Sequence, residues 1–195
     1  MQQADRLSVE CEGEKLENVY NFLYLGSDFA ADGNQEDDIK RRKALVTARC
    51  GRLRHIFDSE KLSLDLKLRL YKAAVCSVLI YDCESWILTD KTRRSINNIN
   101  SLLLSRITGN APQIEARPVT TSHNLIRQIR IIRYKYLGFI LRLDSSRLIQ
   151  KAVETLHARR TTGSILMDAP QHSSFQDLKE KALDKATWNA RIRGF

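Results

Sequence analysis

The sequence has no apolar run approaching the length of a membrane span, and Met1-Gln2-Gln3-Ala4-Asp5-Arg6 lacks the charged-then-apolar order of a signal peptide. The expectation is an intracellular protein, in nucleus or cytoplasm and not secreted, with no membrane partner. Cys11, Cys50, Cys76 and Cys83 form no Cys-x-x-Cys pair and have no neighbouring histidine, although Cys76 and Cys83 share a face of a helix-like segment. Reduced packing thiols are the reading, with a zinc site or a disulfide framework as the alternative. His55, His123, His157 and His172 are scattered without metal-ligand spacing, no nucleophile sits in an elbow, and there is no Gly-rich phosphate loop. No catalytic residue, metal site or cofactor is therefore assigned. Internal repeats and low-complexity tracts are also missing.

What is present is a chain of 195 residues with 43% apolar content, enough for one core or two small ones. Lys and Arg number 32 against 23 Asp and Glu, a surplus that speaks to partners and points first to nucleic acid. The expected fold is mainly α, a bundle of about five to six helices with a small N-terminal β-hairpin or sheet. Strand signals are confined to 6–26: Leu7 to Cys11 alternates, Gly13 offers a turn, and Tyr20 to Leu25 is aromatic and apolar enough to be covered on both faces.

From Asn34 the period becomes helical. Glu36, Asp37 and Asp38 suit a first turn, and Ile39, Val46, Cys50, Leu53 and Phe57 share a stripe, which predicts a helix over about 35–57. Ser63 caps a second helix, whose apolar run Ala73 to Ile80 within 64–86 predicts the centre of the core. Thr89 or Asp90 begins a third, ending at Gly109; Pro112 and Pro118 mark a linker. Ser122 opens a fourth helix to about Leu143, and a shorter one covers about 146–157. Residues 158–172 read as a mobile linker, and Ser174 with Asp177 opens a last helix carrying Phe175, Leu178, Ala182 and Ala186 on one stripe. The divisions expected are a β unit over 1–33, helices over 34–110, basic helices over 119–157, the linker, and a C-terminal helix over 173–195. A single continuous bundle would fit the pattern from 34 onward almost as well.

Two helices carry the charge. Between Lys40 and Arg54 stand Lys40, Arg41, Arg42, Lys43, Arg49, Arg52 and Arg54 with no acid among them, where a solvated face normally mixes signs. On the fourth helix Leu125, Ile129, Ile132, Tyr136 and Ile140 take one side, and Arg127, Arg130, Lys135 and Arg142 take the other with Tyr134 and Gly138. Arginine forks match phosphate, a tyrosine ring can stack on a base, and a glycine admits a close backbone. The competing reading packs Tyr134 at a helix boundary and pairs the arginines with acids elsewhere. Trp86 and Trp188 read as packing anchors.

Glu17-Asn18-Val19 through Phe22-Leu23-Tyr24-Leu25-Gly26-Ser27, then Asp32-Gly33, Ile39 and Arg41-Arg42, resembles the region just after the polymerase palm in non-LTR retrotransposon (LINE-like) reverse transcriptases. Tyr81-Asp82-Cys83-Glu84-Ser85-Trp86 resembles that family's Tyr-Gly-x-Glu-x-Trp thumb ending, with Asp82 where glycine is usual. Arg130, Arg133, Tyr136, Leu137, Gly138, Arg142 and Arg147 resemble its Arg-rich segment after the thumb, with Phe139 where a His often follows the glycine. The resemblance implies that Tyr24, Leu25, Gly26 and Ser27 are primer-grip-like and that the thumb helices cradle template–primer. The family's metal-binding Ala-Asp-Asp turn is not in this sequence, and Asp37-Asp38 sits in a helix first turn instead.

The function expected is a non-catalytic C-terminal fragment of a retroelement RNA-directed DNA polymerase, gripping duplex or RNA without sequence preference through Lys40, Arg41, Arg42, Arg49, Arg52, Arg54, Arg127, Arg130, Tyr134, Lys135 and Arg142. The palm domain upstream, or a second copy, would be a further partner. The alternative is a protein–protein interaction module or a domesticated or functionless remnant. Exposed Phe22, Tyr24 and Leu25 with a neutralised Arg127/Arg130/Lys135 face would favour the interaction module.

Overall fold

A computed structural model of the chain describes residues 9–33, 35–109, 124–159, 164–169 and 174–194. Leu7 and Ser8, Asn34, the Pro112/Pro118 linker, Ser122, His123, residues 160–163 and Pro170 to His172, all used in the sequence reading, lie outside them. The chain divides into two compact units, Met1–Arg41 and Arg42–Phe195.

The first unit holds two antiparallel hairpins, each with its own short sheet. β1 (Glu10–Cys11) pairs with β2 (Glu14–Lys15), and β3 (Asn21–Tyr24) pairs with β4 (Ser27–Ala30). Both turns have two residues with positive φ, Glu12 at 52° with Gly13 at 84° and Leu25 at 48° with Gly26 at 85°. Positive φ at both positions gives the twist that two-residue hairpin loops need. β4 lies beyond the expected strand signals of 6–26, so one expected strand became a hairpin. The expectation that both faces of Tyr20 to Leu25 are covered is corrected: Phe22, Leu23 and Tyr24 are 56%, 59% and 57% exposed and Leu25 75%. A sheet of two strands has no second layer to cover them. The unit closes on the first turn of α1 (Glu36–Arg52), where buried Asp38 accepts from the Asp28 N–H at 3.2 Å and faces Arg41 at 3.4 Å.

The second unit is helical. α1 ends earlier than the sequence period suggested, at Arg52, and the chain resumes as a single turn, α2 (Arg54–Phe57). Ser63 Oγ accepts from the Leu66 N–H at 3.3 Å and opens α3, which runs as Leu64–Leu70, a π-turn Tyr71–Cys76 and Ser77–Leu79. It stops before Trp86, because Asp82 adopts φ 58° and the chain turns from Ile80 to Ser85. The glycine conformation is thus kept at the position where the resembled motif has glycine, and the Ser85 hydroxyl donates to the Asp82 carbonyl at 2.8 Å and faces its carboxylate at 3.1 Å. Thr89 caps α4 (Asp90–Thr108), accepting from the Thr92 N–H at 3.2 Å. Val46, Tyr71, Val75, Leu79, Cys83, Trp86, Ile96 and Leu103 are all buried, and the Tyr71 hydroxyl donates to Asn100 Oδ1 at 2.7 Å. Burial raises the thiols of Cys76, pushed up to about 11, and Cys83, pushed up to about 12 with help from the Glu84 and Asp82 carboxylates, so neither is a ready nucleophile.

Asn124 caps α5 (Leu125–Leu141), which packs on α4 through one side and on the C-terminal elements through another. α6 (Leu148–Arg159) follows, then a 3-10 turn Ile165–Asp168, α7 (Phe175–Leu183) and α8 (Lys185–Ala190). The Ser174/Asp177 capping box is present. Asp184 ends α7 and caps α8, so Ala186 leaves the expected stripe and is exposed. The expectation of a mobile linker over 158–172 is corrected where the chain is described: Ser164, Asp168 and Ala169 are buried.

Candidate nucleic-acid interface

The charge surplus is divided between the units. Residues 1–41 hold ten acidic and four basic side chains, a balance of −6, leaving 28 basic and 13 acidic in residues 42–195, or +15. The primer-grip-like Tyr24, Leu25 and Gly26 are exposed and Ser27 is buried, all in the acidic unit. A polyanion would meet its cations on the helices.

The basic run of α1 does not form one surface. Lys40 is exposed beside Asp37 at 2.8 Å, while Arg41 donates to the Gly26 carbonyl. Arg42 is a correction, because it is 3% exposed, donates to the Val78 carbonyl at 3.3 Å and lies 4.9 Å above the Tyr81 ring. It is structural, a cation–π and carbonyl tether. Lys43 donates to Ser95 Oγ at 3.0 Å. Arg49 and Arg52 are exposed and face no acid among the described residues, and exposed Arg54 pairs with Asp58 at 3.0 Å. Beside them a hollow of about 520 Å³ is lined by Cys50, Gly51, Arg54, Phe57, Asp58, Arg106 and Ile107. Arg106, on α4, is exposed and has no acid partner among the described residues. No local pattern marks it, since its neighbourhood with α1 is tertiary.

The expected cationic face of α5 is largely closed. Tyr134 is 1% exposed, its ring stacked on Trp188 at 4.2 Å and 3°, so it cannot present itself to a base. Gly138 does admit a close approach, but by the Trp188 indole. Arg142 donates to the Ala182 carbonyl at 2.9 Å in the last turn of α7. Arg130 meets Asp168 at 3.0 Å, and the same carboxylate faces fully buried Arg133 at 3.3 Å. Arg127 and Lys135 remain exposed. Arg133 falls four residues from both Ile129 and Leu137, so the helical period already put it in the apolar stripe and demanded a partner; Asp168, 35 residues on in an expected linker, carried no local signal. Both tryptophans are buried anchors, as read from the sequence.

Compared with protein-family models, curated proteins and solved structures, the chain matches none. What the residues offer is therefore judged on chemistry. Arg49, Arg52, Arg54 and Arg106 supply delocalised cations on three elements, α1, α2 and α4, next to an apolar-floored hollow, suited to phosphate. Among the described residues no three His, Cys, Asp or Glu side chains group to hold a metal, the cysteines are all free thiols, and no helix is long and apolar enough to cross a membrane.

Proposed function

We propose that the helical unit binds a nucleic-acid backbone without sequence preference, through Arg49, Arg52, Arg54 and Arg106, as a thumb-like, non-catalytic part of a retroelement reverse transcriptase. The observation that carries this is the pair Arg49 and Arg52, exposed and facing no described acid in a unit of net charge +15. Charge of that kind gives affinity and register, and releases counterions as phosphates are neutralised. The αL turn at Asp82 supports the thumb resemblance, since it keeps the backbone that the family's glycine would take.

Fluorescence anisotropy of a labelled B-form duplex across a salt series tests it. Each neutralised phosphate contributes about 0.9 to the slope of log K against log salt. Arg49→Ser with Arg52→Ser should reduce that slope by about 1.8 if each contacts one phosphate. A flat response in the unsubstituted protein would sink the reading.

A second reading is favoured by the bare hairpin. Phe22, Tyr24 and Leu25 are exposed in the acidic unit, and Phe22 lies opposite Phe29, itself 47% exposed. An apolar patch of this kind on two strands with open edges suits a protein partner. Sedimentation of the full chain with and without Phe22→Ser/Tyr24→Ser separates self-association from a monomer.

A further inference from the structure

The hollow between α1, α2 and α4 is more than charged surface. Its floor is apolar: Cys50, Phe57 and Ile107 are 6%, 4% and 3% exposed, and Arg54, Arg106 and Asp58 stand around them. A purely electrostatic backbone contact needs no such floor. Its volume, about 520 Å³, falls in the range of small-ligand sites.

Gly51 adds an independent observation. Glycine in a helix interior costs about 1 kcal/mol relative to alanine, and less in a last turn, where Gly51 stands. At Gly51 an added Cβ would meet nothing within 4 Å, so no packing contact among the described residues calls for glycine there. Gly138 is the contrast, where the indole of Trp188 occupies the space. What Gly51 does is leave bare backbone on the wall of the hollow, at a cost in helix stability.

We propose that this hollow receives one unstacked terminal nucleotide of a bound nucleic-acid strand. Its phosphate lies between Arg54 and Arg106, its base rests on the Cys50/Phe57/Ile107 floor, and Asp58 accepts from a base N–H. Single-stranded ends are recognised in this way, by a ring face against an apolar platform and hydrogen bonds to the base edge. Asp58 already pairs with Arg54, so its charge is offset before the phosphate arrives. The inference rests on the backbone-binding reading and specifies the site within it.

The test compares a blunt B-form duplex, the same duplex with a four-nucleotide single-stranded end, and free AMP, on the unsubstituted full chain and on Gly51→Leu, Gly51→Ala and Arg106→Ser. The single-stranded end should improve binding about tenfold, in keeping with the stacking of one base. Gly51→Leu should abolish that advantage while leaving blunt-duplex affinity and salt slope unchanged, and should melt no lower than the parent because leucine is the better helix former. Gly51→Ala reads the same effect with a smaller side chain should leucine disturb the fold, and Arg106→Ser should lose the advantage too. An end that confers none, or an advantage that survives both Gly51 variants, overturns the inference. So does AMP binding that is lost in Gly51→Leu when the end confers nothing, because the hollow would then serve a free nucleotide. Salt-independent binding of the blunt duplex would instead overturn the backbone-binding reading, whatever the hollow does.

Discussion

Gly138→Ala should destabilise the protein, although alanine is the better helix residue, and Trp188 is the reason. A Cβ at position 138 would lie 2.7 Å from Trp188 Cε2 and 2.9 Å from Cδ1, distances no carbon tolerates, so the indole has to move. That ring stacks on Tyr134 and donates its Nε1–H to the Tyr134 carbonyl at 3.2 Å in a buried setting. Losing the stacking costs about 0.5–1.5 kcal/mol. Leaving the buried indole N–H unpaired costs about 1–3 kcal/mol more. The helix preference of alanine returns about 1 kcal/mol, for a net loss of about 0.5–3.5 kcal/mol. Trp188→Ala alone should cost about 3–5 kcal/mol. In that background the obstruction is gone, and Gly138→Ala should now stabilise by about 0.5–1 kcal/mol. Urea unfolding followed by far-UV circular dichroism gives all four stabilities. The same loss in both backgrounds would refute the reasoning, since the indole would not be what excludes the methyl group.

Asp168→Ala should cost about 3–5 kcal/mol because it leaves Arg133 charged and buried, and adding Arg133→Met should recover much of it in the same unfolding assay. Adding Arg130→Met should recover less, as Arg130 keeps access to water. At Asp82, with φ 58°, glycine should be more stable than alanine by about 1–2 kcal/mol in thermal melts; equal stability would mean that the turn is not left-handed. Hydrogen bonds from Ser174, side chain first and then backbone, hold Asp177 below the usual carboxylate value, and those from Thr187 do the same for Asp184. Each folded-state pKa is thus lower than in the unfolded chain. Their contribution is complete above about pH 4 and is lost as the pH falls through the lowered values. Amide-exchange protection factors, corrected for the intrinsic pH dependence, should fall in α7 and α8 on acidification, less so in Asp177→Asn/Asp184→Asn.

The features legible in the sequence are those decided within a few residues. Ser63, Thr89 and Ser174 cap helices because a hydroxyl three residues before a backbone N–H is enough to do so. The period of α1 put Ile39, Val46 and Cys50 inside without knowledge of what covers them. β4 was missed because Ser27-Asp28-Phe29-Ala30 has little alternation of its own and becomes a strand by pairing with β3. The errors on α5 have one cause. Tyr134 and Gly138 are expected on the charged side of α5, and distant C-terminal residues, Leu178, Ala182 and above all Trp188, 54 residues from Tyr134, make that side interior. Arg42 is expected at the surface as part of the acid-free basic run, yet helical geometry turns neighbours by 100°, and Val78 and Tyr81 receive it.

The division of charge then constrains what the hairpin can do. With a balance of −6 over residues 1–41, the unit that carries exposed Phe22, Tyr24 and Leu25 has few cations of its own to offer phosphate, so a primer-grip role for them would have to work through bases, sugars or protein and not through the backbone. Apolar contacts release no counterions, which separates the two roles in one experiment. Phe22→Ser/Tyr24→Ser should change duplex affinity, if at all, with an unchanged salt slope, whereas Arg49→Ser/Arg52→Ser should change the slope itself. A hairpin variant that flattened the slope would mean that the acidic unit governs phosphate contact, and the assignment of backbone binding to the helices would fall with it.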